Sequence, residues 1–397
     1  MAQAESEAAV KHVKSSIPFI IFLLGALVLE ACSFSIEIMS PAATSPVVPS
    51  STADSPTSTF TPPAPTEVPA LPTPTLISIR EGTYPLLEIV HSVGDLELPR
   101  ALAFSPDGSV LAAAGGNSDD FAVRIWDVAT GQERGILNGH SNIVWGLAFS
   151  PDGQMLVSVS SDGTAIIRDW QNGDILKVLT FPGEVVSVSF SPDGQTLAVG
   201  GVDEPLNQIR NAAVWTYSVG TWEPQVKFPE YWNIQVMNFS PDGTLLAGGG
   251  TSRNVQVWRA SDGSPLYTLN HAHQVARGAV SPDGSTLATG TCATVVNESC
   301  REGSVWLWNL TTGRLIRKLA GLTTSVDGLA YTADGTSLLI GTRDGLVRIY
   351  ATSDYEPRFE IFSPGGLSTL ALSPDDGLLA TAGGDGKVHI WKVVYRP

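Results

Sequence analysis

Ser158, His140 and Asp162 are the residue types from which hydrolases build a nucleophile, its base and the acid that orients the base. The pair in H-A-H, His271 and His273, has a spacing that could grip a metal ion. Cys292 and Cys300 bracket a loop, T-C-A-T-V-V-N-E-S-C-R-E-G, and Cys32 follows an apolar run. No G-x-S-x-G elbow, H-E-x-x-H or phosphate loop accompanies them, and the acidic residues are scattered through loops without paired spacing. Whether any of these groups does chemistry depends on the elements that hold them.

Those elements are announced by one short phrase. F-S-P-D-G, Phe104 to Gly108, returns at Phe149, Phe190 and Phe239, and then in altered form at Val280, Tyr331 (Y-T-A-D-G) and Leu372 (L-S-P-D-D-G). Ser at position i of a type I turn can bond back to the backbone, Pro presets φ at i+1, and Gly supplies the left-handed residue. Short apolar runs flank each copy, so each is the tip of a β-hairpin. From Ser105 the steps to successive copies are 45, 41, 49, 41, 51 and 41 residues. A period near 40–45 residues with about four strands per unit predicts a β-propeller blade.

A second marker rides behind each turn: R-I-W-D, A-V-W-T, V-Q-V-W, W-L-W-N, V-R-I-Y and V-H-I-W. A large aromatic there would fill the gap between neighbouring blades. These residues resemble the WD-repeat (WD40) family from about Tyr84 to Pro397, which implies an all-β, seven-bladed β-propeller. The last unit ends in its third strand, and P-L-L-E-I-V-H (Pro85 to His91) aligns with the fourth strand of an interior unit, R-L-I-R-K-L-A. The resemblance implies that this N-terminal strand completes the last blade, removing the open edges of the array.

The same resemblance assigns the polar residues. His140 follows Gly139 as in the family's Gly-His pair, with Ser158 and Asp162 completing a hydrogen-bonded tetrad whose usual Trp is Arg168 here. In the fifth unit His271, Thr289, Glu302 and Trp308 fall in step, Glu standing for the usual Asp. Asp344 and Asp385 belong to the same class. Such chains are structural staples, because buried polar groups must be paired. Neither a catalytic residue, a metal nor a cofactor is expected. Partner-contacting positions of the family lie near the start of each innermost strand, around the central channel. They map to Arg100, Trp145, Gln235 and Asp327, with Glu184, Asn233 and Gln274 close by. Trp145 reads as an exposed anchor or as a residue packed on the neighbouring loop. Tyr231 and Trp232 carry the same two readings. Two insertions, Val202 to Arg210 and the cysteine loop, would rise on the face opposite the S-P-D-G turns.

The ring accounts for residues 77–397; the rest differs in kind. Ile17 to Leu29 is a 13-residue apolar stretch after Lys11 and Lys14, short for a membrane span but suited to the core of a secretion signal. It ends L-E-A-C, resembling a bacterial lipoprotein signal that would span residues 1–31 and leave Cys32 lipidated, although Glu30 stands where a small residue is usual. Plain secretion and an uncleaved anchor are the alternatives. Residues 32–76 form a linker in which 24 of the 36 residues from Ser40 to Thr75 are Pro, Ser or Thr, a composition that buries no core and stays extended. In an exported chain Cys292 and Cys300 read as a disulfide, and a metal site would want more ligands than this loop offers.

A net charge of −16 argues against nucleic acid, whose phosphates need a basic footprint. The resulting expectation is a monomer on the outer side of a bacterial membrane or envelope, held by an N-terminal lipid anchor. There it would act as a non-catalytic scaffold for a protein or peptide partner. The alternatives are carbohydrate or cell-wall binding through Trp145 and Trp232 in one groove, and a hydrolase using the channel.

Overall fold

The architecture is set from below by the turns. In the first copy Gly108 N donates to Ser105 O at 2.8 Å and Ser105 N donates to Val110 O at 2.9 Å. Gly108 takes a φ of +69°, left-handed space that glycine enters without cost. The Ser105 hydroxyl donates to Asp107 Oδ1 at 2.5 Å and accepts from Val110 N at 3.1 Å, while Asp107 Oδ1 also accepts from Ser109 N at 3.0 Å. Donors to these carboxylates stabilise their charged form. At Asp193 the Ser191 hydroxyl is the main cause of a lowered pKa, followed by the Gln195 amide.

This computed structural model describes residues 84–116, 120–203, 211–231, 234–251, 253–296 and 299–396. The expected signal and linker, with Cys32, lie outside them, as do Trp232, Asn233 and residues 204–210 of the third-unit insertion. Each turn joins the first two strands of one antiparallel sheet, giving seven sheets of four strands and, among the described residues, no helix. In blade 1 these are Ala101–Phe104, Val110–Ala114, Val123–Asp127 and Glu133–Leu137. First strands of neighbouring blades touch all the way round, so they line the axis of a closed ring.

Closure is made by the two ends of the described chain. Blade 7 comprises Thr369–Leu372, Leu378–Ala382 and Val388–Arg396, and Tyr84–Val93 is its outer strand. The pairing runs from Tyr84↔Arg396 to Val93↔Val388, with one irregularity between Ile89 and His91. Beneath it, Asp385 Oδ2 accepts from His389 Nε2 at 2.8 Å, so His389 Nδ1 accepts from the Ser92 hydroxyl at 2.8 Å. His389 is buried, and this chain pins the borrowed strand.

The apolar core is divided among the seven blade interfaces, one cluster each. Trp126, Trp258, Trp308 and Tyr350, near the ends of third strands, and Trp391, midway along that of blade 7, each sit in one of them. Blade 2 solves the same problem differently. Arg168 occupies the usual aromatic position, but Trp170, two residues on, fills the gap between blades 1 and 2 and donates Nε1–H to Gly153 O at 2.8 Å.

At the turn face the blades interlock in sequence. The prolines at 106, 151, 192, 241 and 282 pack over the turn glycines of the following blades, and Pro374 packs over Gly108. The remaining junction lacks that proline, because blade 6 has Ala333. There Asp376, at φ +56°, reaches back and accepts from Ala333 N at 2.7 Å. The extra residue of L-S-P-D-D-G therefore replaces an apolar contact with a hydrogen bond.

Candidate functional site

The serine, histidine and aspartate of the second unit do meet. Asp162 Oδ2 lies 2.9 Å from His140 Nδ1, and His140 Nε2 lies 2.8 Å from Ser158 Oγ. A carboxylate only accepts, so Nδ1 carries the proton and Nε2 accepts from the serine. Asp162 also accepts from Ser141 N at 2.9 Å and from the Thr164 hydroxyl at 2.6 Å. Burial lowers the His140 pKa, with Asp162 opposing. The bonds follow the order of a hydrolytic triad, yet Ser158 is 4% exposed and its hydroxyl faces the blade interior. Arg168 does not take the place of the usual Trp in this chain: its guanidinium donates to Gly173 O at 2.9 Å and to the Asn138 carbonyl, not to Ser158.

The fifth unit corrects one expectation. His271 Nε2 lies 2.8 Å from Thr289 Oγ1, which accepts Trp308 Nε1–H at 3.0 Å. Glu302 is not part of this chain; His271 Nδ1 donates to Leu269 O at 3.0 Å in its place. The reason is the insertion. It does not form an irregular loop but extends both strands, Thr286–Val296 and Ser299–Asn309, into a projecting hairpin. That carries Glu302 up the hairpin, opposite Thr294, whose hydroxyl it accepts at 3.1 Å. Cys292 and Cys300 are joined by a disulfide across the hairpin, with Cα atoms 5.7 Å apart. His273, half-buried, takes no part in a metal-type cluster; among the described residues no group of three or more His, Cys, Asp or Glu is arranged for one.

Three of the rim positions, Trp145, Gln235 and Asp327, share one backbone device. In blades 2 to 6 the innermost strand pairs irregularly at the same place: between Val144 and Gly146, Val185 and Ser187, Ile234 and Val236, Val275 and Arg277, and Val326 and Gly328. The residue skipped in each case is Trp145, Val186, Gln235, Ala276 or Asp327. A bulge re-aims a side chain out of the ladder, so each of these five blades turns one residue out near the start of its innermost strand. Gln235 and Gln274 are exposed and Glu184 is half-buried. Trp145 is not an open platform: the Arg100 guanidinium lies 5.1 Å from its ring centroid, and Nε1–H donates to Ser161 Oγ at 2.7 Å. Asp327 is 6% exposed and accepts from Arg343 Nε at 2.8 Å.

Two rim residues escaped sequence reasoning. Arg277 stands one position after the bulge and Arg343 follows the second strand of blade 6, Ser337–Thr342. The signal for Arg277 was present: V-A-R-G-A-V is a charged interruption in an innermost strand, where the second unit has V-W-G-L-A-F.

Compared with known proteins, the chain matches the WD domain, G-beta repeat (WD40) over residues 91–127, 131–169, 175–204, 222–259 and 359–392. The first match begins inside the closing strand and ends with the third strand of blade 1, so each repeat straddles two blades. The sequence is 27% identical over 245 residues to periodic tryptophan protein 2 of Arabidopsis thaliana, covering 51% of this chain and 27% of that protein. It is 28% identical over 250 residues to telomerase protein component 1 of Rattus norvegicus, covering 62% of this chain and 9% of the relative. It is 26% identical over 279 residues to anaphase-promoting complex subunit cdh1 of Dictyostelium discoideum, covering 61% of this chain and 35% of that one. The alignments thus span about a third or less of each relative.

Proposed function

We propose that this seven-bladed propeller of WD repeats is a non-catalytic scaffold that binds a protein or peptide partner on its channel rim, tethered outside the cytoplasm through a lipid-modified Cys32. The observation that carries the reading is the bulge repeated in five successive blades, which turns one side chain per blade out near the start of its innermost strand. A relative named as a subunit of the anaphase-promoting complex agrees with a partner-binding role. Polar groups that could do chemistry are spent inside blades: Ser158, His271 and Thr289 are all buried. The ring is complete within one chain, so a monomer suffices. The tether rests on the apolar run, the L-E-A-C sequence and the Pro/Ser/Thr-rich linker.

The test is capture from an envelope extract by the immobilised full chain, wild type against a Trp145→Ala, Gln235→Ala pair. Selective loss of a retained polypeptide from the pair supports the rim; equal retention by both refutes it. Mass spectrometry of the mature N-terminus tests the anchor separately, and a chain still starting at Met1 would remove it.

A further inference from the structure

This acidic chain, with a net charge of −16, gathers three arginines at its channel mouth. Arg277 rises from the innermost strand of blade 5, Val275–Val280, and crosses to its neighbours. Its Nε donates to Asp327 O of blade 6 at 2.8 Å, and its Nη2 donates to Ser368 O of blade 7 at 2.7 Å. The Ser368 hydroxyl passes the connection to Pro99 O, beside Arg100 at the entry to blade 1. With Nη1 given to Ala276 O at 2.9 Å, Arg277 is a committed, fixed cation. Burial lowers its pKa, Asp327 opposes, and the Arg100 and Arg343 charges add to the fall.

Arg100 and Arg343 are not committed in this way. Arg100 lies over Trp145, and its Nε is buried without a hydrogen-bond acceptor. Arg343 gives Nε to Asp327 and keeps its side chain 70% exposed. The arc from blade 5 through blades 6 and 7 to blade 1 therefore holds Arg277 with Arg100 and Arg343 acting on it from either side, and Asp327 is the carboxylate that opposes them there. Glu184 stands across the ring on blade 3.

We propose that this arc binds a carboxylate-bearing peptide segment, an Asp or Glu side chain of the partner engaging Arg100 and Arg343. The assignment rests on the rim reading above and adds the chemical class of the ligand. Charge-assisted bonds to guanidinium are stronger than neutral ones, and Arg343, whose side chain is 70% exposed and gives only its Nε to Asp327, keeps its terminal nitrogens for an incoming carboxylate. The same carboxylate offsets the repulsion among the three cations. A basic peptide gains little, since Arg343 already occupies Asp327.

Panning a random heptapeptide display library on the full chain tests this. The expected result is at least threefold enrichment of Asp and Glu at one or more positions. A recovered peptide should bind Arg100→Gln, Arg343→Gln protein at least tenfold more weakly. It should bind Asp327→Asn protein at least twofold more tightly, because that change removes the carboxylate that opposes the arginines and no cation. Near-ultraviolet circular dichroism confirms that each variant is folded. Recovery of neutral or basic peptides, of acidic peptides indifferent to the arginine changes, or of none at all overturns the proposal. The rim reading fails by a different result, capture unaffected by the Trp145→Ala, Gln235→Ala pair.

Discussion

At the scale of single residues, the buried His271 ties stability to pH. Burial pushes His271 down to about 4, its bond to the Leu269 carbonyl opposing only in part. An unfolded histidine titrates near about 6.5, so between those values the unfolded chain binds the proton more readily and stability is lost as pH falls. The loss is on the order of 3 kcal/mol at the bottom of the interval. The urea midpoint should therefore drop from pH 7 to pH 4, and His271→Gln, less stable at pH 7, should show a shallower drop. An equal slope in both proteins would contradict the assignment. Sequence reasoning identified His271, Thr289 and Trp308 but misplaced Glu302, because residue spacing does not reveal that an insertion lengthens the hairpin between them. His389 went unnoticed because its partner Ser92 lies 297 residues away in sequence.

At the scale of elements, the turns were legible because each is a local structure made by its own residues. Their interlocking was not, since it depends on which residue faces the next blade. Ala333 and Asp376 show this: each looks like a lapse from S-P-D-G, and together they form one hydrogen bond. Ala333→Pro removes the donor and should destabilise by roughly 1–3 kcal/mol, read from the urea midpoint. Burial raises the Asp376 pKa, so the folded state holds its proton more tightly, and stability falls as pH rises through the shifted range. Asp376→Asn keeps an acceptor without the charge and should match or exceed wild type at pH 7; a clear loss would argue against this account. The cysteine hairpin offers a separate test. Replacing Cys292 and Cys300 with serine should cost about 2–3 kcal/mol by the loop-entropy estimate. Hydrogen exchange should quicken in the extension, residues 291–304, and stay unchanged in blades 1 to 3.

At the scale of the whole molecule, everything at the rim depends on the ring being closed. An open array would leave blade 7 with three strands and an exposed edge, and blades 5, 6, 7 and 1 would no longer hold Arg277, Asp327, Ser368 and Arg100 in one arc. The closure was implied by the resemblance to WD repeats, which gave the orphan strand before the first turn its place in the last blade. The bulges and the arginine bridge were not, because they arise only once the blades stand side by side. Glu88 and Lys392 are Cα partners across the seam. The most direct test is a Glu88→Cys, Lys392→Cys variant, oxidised, digested and mapped by mass spectrometry. The account expects a disulfide-linked peptide joining positions 88 and 392 in high yield from the folded monomer. Free thiols at both positions, or links only between separate chains, would contradict a ring closed by its own N-terminal strand.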